Sequence, residues 1–429
     1  MSVLDTARVP TEVLVALVAF IPLALAVGLS FYRTPDRHER GGLALALTWV
    51  LVGVLALDRV AVDVGWWNYP DAVGSNLVTP PALLFGWVLM WGVAAPMFGW
   101  RPLPTVAGLG VLDVVAVPML DPTVVLGPQW WIGEAIALIF IALPAVSLAR
   151  WQATRQPDRL VLRLLLQLVL FAVTLLWIVP SVVLADPFPL PDLPLWTLGL
   201  VVGSLGLASL PGVAALVEFG LHGGTPWPWD YTERPIRSGP YRYVRSPMQA
   251  SGFVLLAILA VLHMAAAVML AAAFALGWGW YFSTTERDDL AHRWGRAWLD
   301  VADGQSRWLP SIRPQPEAES ATLWIDLSCD PCSGVAAFLL ERRPVGLELR
   351  AAVDHPDKLM RLRYERADGV SLSGIAAFGA ALEHLHLGYA IAGWFLRMPL
   401  VAPALQFVGD ACGFGERPAG SVSEPAAVG

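Results

Sequence analysis

The chain has 429 residues, 56% of them hydrophobic and only 15% charged, at a mean hydropathy of +0.59. That composition excludes an ordinary soluble globular protein and points to a polytopic α-helical membrane protein. The net charge of −7 offers no basic surface to a nucleic acid, and none is expected as a partner. All three cysteines, Cys329, Cys332 and Cys412, lie in the last quarter, so no disulfide framework holds the apolar part. The basic residues are almost all Arg, with a single Lys at Lys358, which reads as the codon usage of a GC-rich bacterial genome.

About nine apolar runs approach the roughly 20 residues of one membrane crossing. They cover 12–32, 42–62, 78–98, 103–120, 130–149, 160–185, 194–218, 249–263 and 265–283, the last two as a tight hairpin. The first run is long enough to span and has no basic segment before it, so no cleavable signal peptide is expected. The loops alternate in charge: Arg33, Arg37 and Arg40, then Asp63 and Asp71, then Arg101, then Asp121, then Arg150, Arg155 and Arg159, then Asp186 and Asp192. Arg234, Arg237, Arg242 and Arg245 follow the seventh run, and Arg287, Arg293 and Arg296 follow the ninth. Arg-bearing loops stay in the cytoplasm, which predicts a multi-pass protein of the bacterial cytoplasmic membrane with its N-terminus outside and its C-terminal domain inside.

The first six helices, residues 1–190, carry little readable chemistry. Asp58-Arg59 reads as a local ion pair. Gly65–Pro70 and Gly127–Glu134 are aromatic, Gly-flanked loops at corresponding ends of two three-helix halves. They hint at an internal repeat with Asp113 and Glu134 as its polar marks. The first half faintly resembles the three-helix units of small membrane carotenoid-cyclase proteins, which carries no function here. Interfacial aromatic belts and a helix-packing scaffold are the reading. A lipid-binding or carrier role for this part has no specific motif behind it.

The stretch from Leu221 to Tyr241 is rich in Pro, Trp and Gly and cannot form a long helix. It could form a surface cap, with His222 as a candidate polar contact. Next comes the most informative segment, a polar loop from Arg237 to Gly252 between two apolar runs. Gly239-Pro240 marks a turn, and Ser246-Pro247 reads as the cap and first position of a helix. A helix N-terminus beside Arg242 and Arg245 is a seat for an anionic group, or simply a positive-inside loop.

Gly239-Pro-Tyr241-x-Tyr243-Val-Arg245-x-Pro247-Met248, with Gly252, resembles the signature of isoprenylcysteine carboxyl methyltransferases, integral-membrane enzymes that use S-adenosylmethionine. Glu286-Arg287, Leu290, Trp294-Gly295, Trp298 and Leu309-Pro310 stand in matching order, and the resemblance covers roughly 193–314. Ser246 and Gln249 stand where that family usually has His and Tyr. The resemblance implies that Gly239, Tyr241, Arg245, Ser246 and Pro247 line the cofactor, that Gly252 permits close helix approach, and that Glu286 and Arg287 hold the cofactor's amino-acid end, Glu286 also counting as catalytic. It implies a lipophilic or lipid-linked methyl acceptor taken from the bilayer.

Residues 286–301 read as an amphipathic surface helix. A Pro- and Glu-rich linker over 315–320 then leads to a segment of soluble composition, 321–416, and a tail over 417–429 expected to be disordered. Ala321–Ser328 reads as a strand, Ser333–Arg343 as a helix and Val345–Val353 as a second strand, with Cys329-Asp-Pro-Cys332 at the helix start. Strand, Cys-x-x-Cys, helix and strand form the thioredoxin-like arrangement, in which a helix N-terminus stabilises the first thiolate and the second Cys resolves the mixed disulfide. Zinc is the competing use of such a pair, but no second Cys pair is present, and the spacing of His384 and His386 splits the two rings around a helix; no metal is expected. An inert relic of the fold is the other alternative. Asp326, Asp368-Gly369 and Trp394–Pro399 resemble the DCC family of predicted thiol-disulfide oxidoreductases over roughly 323–413. That resemblance implies Cys329 and Cys332 as redox residues and a cytosolic thiol as partner.

The sequence as a whole therefore predicts a mostly α membrane protein with a C-terminal α/β thioredoxin-like domain. The leading expectation is a membrane methyltransferase domain over 191–314 joined to a dithiol module. The alternative is a membrane part that has lost methyl transfer and anchors a Cys-x-x-Cys redox module.

Overall fold

The structure, a computed structural model, describes residues 11–69, 79–99, 101–178, 194–227, 230, 232–263, 290–315 and 320–420. The chain is mostly helical and divides into two compact units. The first takes Met1–Asp192 with Gly223–Tyr231, and the second takes Leu193–His222 with Thr232–Gly429.

In the first unit, helix α1 (Thr11–Tyr32) leads to α2 (Arg37–Val64). The start of α2 is a capping box: Asp36 accepts from the Glu39 amide at 2.8 Å, and Glu39 accepts from the Asp36 amide at 3.0 Å. Gly65, at φ 78°, ends it in the left-handed conformation that suits glycine. Helices α3 (Pro81–Met97), α4 (Pro102–Leu120), α5 (Trp130–Ala153) and α6 (Leu160–Val173) follow. α2 lies at the centre and packs closely on α5, because a Cβ on Gly42 would stand 2.4 Å from the Ala149 carbonyl oxygen. Ala46, Val50, Ala142, Ala145 and Val146 fill this seam. Both α3 and α5 widen into a π turn, at Met90–Ala94 and Leu138–Ala142. The two aromatic loops pair as short antiparallel strands β1 (Trp67–Asn68) and β2 (Val125–Leu126), with Trp67 opposite Leu126.

The second unit starts with α7 (Leu195–Leu221), which packs along α8 (Pro247–His263). The Ser251 hydroxyl donates across this seam to the Ala208 carbonyl. After α9 (Arg296–Gly304) comes a four-stranded mixed sheet of β3 (Ala321–Ile325), β4 (Leu347–Ala351), β5 (Arg363–Arg366) and β6 (Ser371–Ser373), in the order β4-β3-β5-β6. β3 is parallel to β4 and antiparallel to β5. α10 (Asp330–Glu341) follows β3, and α11 (Gly374–Leu382), α12 (Leu387–Leu396) and α13 (Val401–Gly409) close the chain. Leu323, Leu339, Tyr364 and Ala377 form the core between sheet and helices.

The count of nine spans has no support. Among the described residues, five helices are long and apolar enough to cross a membrane: Val13–Tyr32, Arg37–Val64, Pro102–Leu120, Trp130–Ala153 and Leu195–Leu221. That makes membrane association the plain reading. The third run yields only the shorter Pro81–Met97, which opens on Pro81 and is followed by Gly99 at φ 70°. The eighth gives a short apolar helix, Pro247–Ile258, and the ninth lies outside the described residues. The sixth is described only to Ile178.

The C-terminal segment departs from a uniformly soluble character. Its apolar helices Leu387–Leu396 and Val401–Cys412 meet at a bend of 83°, and Leu400 and Phe407 at and beyond the bend are 86% and 76% exposed.

Candidate functional site

The loop from Ser238 to Pro247 is built by contacts to three segments of its own unit. Gly239 opens a 3-10 turn, Gly239–Arg242, at φ 58°. A Cβ there would stand 2.7 Å from Glu218 Cγ, so glycine is required both by the backbone and by the carboxylate beside it. The Tyr241 ring meets Phe219 edge-on at 6.1 Å. Arg245 and Ser246 donate their amides to the carbonyls of Ser306 and Arg307, each at 3.0 Å. The Gln305 side chain donates to the Tyr241 carbonyl at 2.9 Å, and the amides of Ser311 and Gln315 donate to the carbonyls of Tyr243 and Arg242, each at 2.9 Å. Residues 305–315 are thus laced onto 241–246. The Ser246 carbonyl accepts the Ala250 amide at 3.0 Å, and buried Pro247 opens α8, as the cap-and-proline pattern predicts. Gly252 is buried one turn further on. Glu286 and Arg287, expected to complete this site, lie outside the described residues.

Tyr243, a position of the resembled motif, and Arg242 are both committed to internal contacts. Tyr243 is fully buried, and its hydroxyl donates towards the carbonyls of Glu383 at 2.9 Å and Leu385 at 3.0 Å. Arg242, read from sequence as part of an anion seat, is buried beside Tyr364, Glu383 and His384. Gln249 accepts from Trp308 Nε1 at 3.0 Å.

Sequence reading missed the charge cluster under this loop. Glu218, one turn from the end of α7 and fully buried, accepts from Ser238 at 2.5 Å, Arg366 at 3.0 Å and Arg397 at 2.7 Å. Arg397 also donates to Glu383 at 2.5 Å, and Arg366 donates to Asp368 at 2.8 Å. His222 Nε2 lies 3.1 Å from Asp368. Burial pushes the Glu383 carboxyl above its usual range, against the opposing pull of Arg397. His384 hydrogen-bonds the Val345 carbonyl through Nδ1 at 2.7 Å and the Tyr364 hydroxyl through Nε2 at 2.9 Å. A carbonyl can only accept, so Nδ1 carries the proton and Nε2 accepts from Tyr364. Burial, and then Arg242, hold this imidazole well below its usual pKa, so it is neutral. His386 instead caps α12, accepting from the Gly388 amide at 3.2 Å. The one signal available in the sequence was a lone Glu218 at the end of an apolar run.

The dithiol stands at the far end of β3 from Arg366, which pairs with Ala321 at the near end. Cys329 caps α10 and Cys332 lies in its first turn, both half-buried and reduced. Burial, then a hydrogen bond donated by its own S–H to Cys329, push the Cys332 thiol up to about 12. Asp326 accepts from the Ser328 amide at 2.9 Å and hydroxyl at 2.6 Å, and from the Gly420 amide at 3.1 Å. Burial opposes its ionisation, and these bonds together outweigh it and hold the carboxyl below its usual range.

The first unit also holds polar groups. Asp58, expected to pair with Arg59, instead accepts from Trp67 at 2.9 Å, Tyr69 at 3.1 Å and the Thr79 hydroxyl. Asp113 and Glu134, the two polar marks, face one another with Trp87 and Trp91 beside Asp113. Buried Arg163 bonds Asp230, and Gln167 bonds Thr225 at 3.1 Å, while Trp227 donates to the Gly41 carbonyl at 2.9 Å. The described part of the Pro- and Trp-rich stretch from Gly223 to Asp230 is therefore bolted onto its own unit. It is not a free cap.

No protein-family model, curated protein or solved structure matches this chain.

Proposed function

We propose that this chain is an integral-membrane methyltransferase that takes its methyl group from S-adenosylmethionine and passes it to a lipophilic or membrane-proximal acceptor, with a thioredoxin-like dithiol site built into the same unit. The observation that carries the reading is the lacing of Arg245 and Ser246 to Ser306 and Arg307. It brings together two stretches of the methyltransferase-like pattern that lie some sixty residues apart in the chain. Methyl transfer from a sulfonium needs little acid–base work; it needs donor and acceptor held in line with water excluded. In this reading Gly239, Tyr241, Arg245, Ser246 and Pro247 line the donor, Gly252 lets the helices close, and Glu286 and Arg287 hold its zwitterionic end.

The dithiol half rests on the strand order β4-β3-β5-β6 with Cys329 capping the helix after β3, the layout of a thioredoxin-like unit. The Cys329 thiolate attacks a partner disulfide and releases one partner thiolate. Cys332 then attacks the mixed disulfide, losing its proton to solvent, and leaves the partner reduced and Cys329–Cys332 oxidised. In this reading the site faces the cytoplasm, where a thiol pair rests reduced and acts transiently.

One observation favours a second reading. Arg242, Tyr243 and Gln249 are all spent on internal contacts, as befits a membrane anchor for the dithiol module. Calorimetric titration of the purified full chain with S-adenosylmethionine separates the two. The first reading expects binding that Arg245→Ala weakens by at least about tenfold, one lost charge-assisted hydrogen bond. Absence of binding overturns it, and the anchor reading then expects Cys329→Ser to abolish disulfide reduction.

A further inference from the structure

The last helix of the second unit is built inside out. Leu400, Pro403, Ala404, Phe407, Val408 and Ala411, along α13 and its continuation to Cys412, are all exposed. Their spacing of three and four residues puts them on one stripe of the helix. The polar side chains are turned the other way, into their own unit. Gln406 accepts the Ile375 amide at 2.9 Å and donates to Asp410 at 2.8 Å, and Arg361 holds Asp410 through two bonds of 2.6 and 2.8 Å. A surface helix in water has the opposite arrangement, with apolar residues inward and polar ones outward. Polar groups turned to the protein and apolar groups turned away from it suit surroundings of hydrocarbon.

The neighbours of α13 say which apolar phase covers it. α12 is seated on α7, because Ala390 and Trp394 share a core with Leu210 and Ala214. α7 is one of the five helices long and apolar enough to cross a membrane, and its Leu200, Val202 and Leu207 are more than half exposed. Exposed apolar residues thus follow one another from a candidate span, through Phe395 on α12, onto α13. Lipid bathes such a span, so lipid is the nearest cover for the stripe. Leu387–Leu396 and Val401–Cys412 meet at 83°. They are about 15 and 18 Å long at 1.5 Å per residue, each well short of the roughly 30 Å of a crossing. α13 is therefore dimensioned to lie along a bilayer surface and not to span it. No Lys or Arg stands between Met398 and Cys412, so its seat is made by hydrocarbon and not by headgroup charge.

We propose that α13 lies in the surface of the bilayer with its stripe among the lipid chains, and so holds the dithiol-bearing sheet against the membrane. The surface lies wholly within the second unit and depends neither on methyl transfer nor on the thiols. In the full chain, all three cysteines are replaced by Ser and a nitroxide label is attached at Phe407→Cys, at Leu400→Cys or, as a water-facing control, at Glu348→Cys. The protein is placed in nanodiscs of neutral phosphatidylcholine. Collisions of the label with oxygen, which concentrates in lipid, and with a water-soluble nickel chelate are read by electron paramagnetic resonance. Labels at 407 and 400 are expected to collide with oxygen and to lose collision with the chelate, and the label at 348 to do the reverse. Chelate collisions at 407 and 400 as frequent as at 348 overturn the proposal. Protection from both reagents overturns it too. If it comes with dipolar broadening that vanishes on dilution with unlabelled chain, a second copy covers the stripe; without broadening, the stripe packs within its own chain. A shift from chelate to oxygen that needs anionic lipid would mean headgroup attraction, and also refutes a hydrocarbon seat. Leu400 precedes α13, so its label reads the stripe even where Phe407→Cys fails to fold.

Discussion

Replacing Glu218 by Leu should loosen the second unit as a whole. This carboxylate is fully buried and is the acceptor for Ser238, Arg366 and Arg397. Removing one partner of a buried, hydrogen-bonded charge pair costs about 3–5 kcal/mol, because the other charge is left in low dielectric. Arg366 keeps Asp368 and Arg397 keeps Glu383, so the lower end applies here, about 3 kcal/mol. At roughly 2–4 °C per kcal/mol for a unit of this size, the melting temperature should fall by about 6–12 °C. The natural reporter is the dithiol, since Cys329 and Cys332 are half-buried and react with maleimide as the unit opens. In a background where exposed Cys412 is replaced by Ser, labelling is followed against temperature in detergent. Glu348→Ala serves as control, because the Glu348–Arg350 pair is solvent-exposed and screened, and should leave the curve unchanged. A Glu218→Leu curve that coincides with this control would refute the claim that the cluster holds helix and sheet together.

Two further outcomes follow from the same unit. His384 is held well below its ordinary value of 6.5 by burial, so the unfolded chain binds a proton that the folded chain refuses. Stability is full above pH 6.5 and should fall below it by at most about 1.4 kcal/mol per pH unit; a melt series from pH 7.5 downwards that is as steep in His384→Gln as in the parent would contradict this. With Cys332 pushed up to about 12, Cys329 is the attacking thiol, so Cys332→Ser should accumulate a mixed disulfide with a peptide disulfide on non-reducing gels and Cys329→Ser should not; trapping by the Cys329 variant instead would reverse the assignment.

Much of the C-terminal fold was legible in the chain. The strand read over Ala321–Ser328 is β3, Ala321–Ile325, and the helix read from Ser333 is α10, which begins three residues earlier at Asp330, because strand pleat and helix periodicity are local. The start of α8 at Pro247 was legible because helix capping is local too. Span counting was less secure: hydropathy cannot tell a crossing helix from a short one such as Pro81–Met97, whose length is set by Pro and Gly at its ends.

The sequence by itself determined that this is a membrane protein of apolar helices, that a dithiol stands at the start of a helix after a strand, and that Gly239-Pro240 turns the chain; it was the tertiary structure, through φ 58° and the approach of Glu218, that made glycine obligatory there. Only the tertiary structure decided what Glu218, Arg242, Arg366 and Arg397 do. Their partners lie up to 179 residues away along the chain, and no local rule selects among them. A buried charge must find whichever opposite charge the packing brings, and that choice is made when helix and sheet come together. The same holds for Trp91 and Glu134, which chain order keeps apart and the meeting of α3 with α5 sets around one cavity.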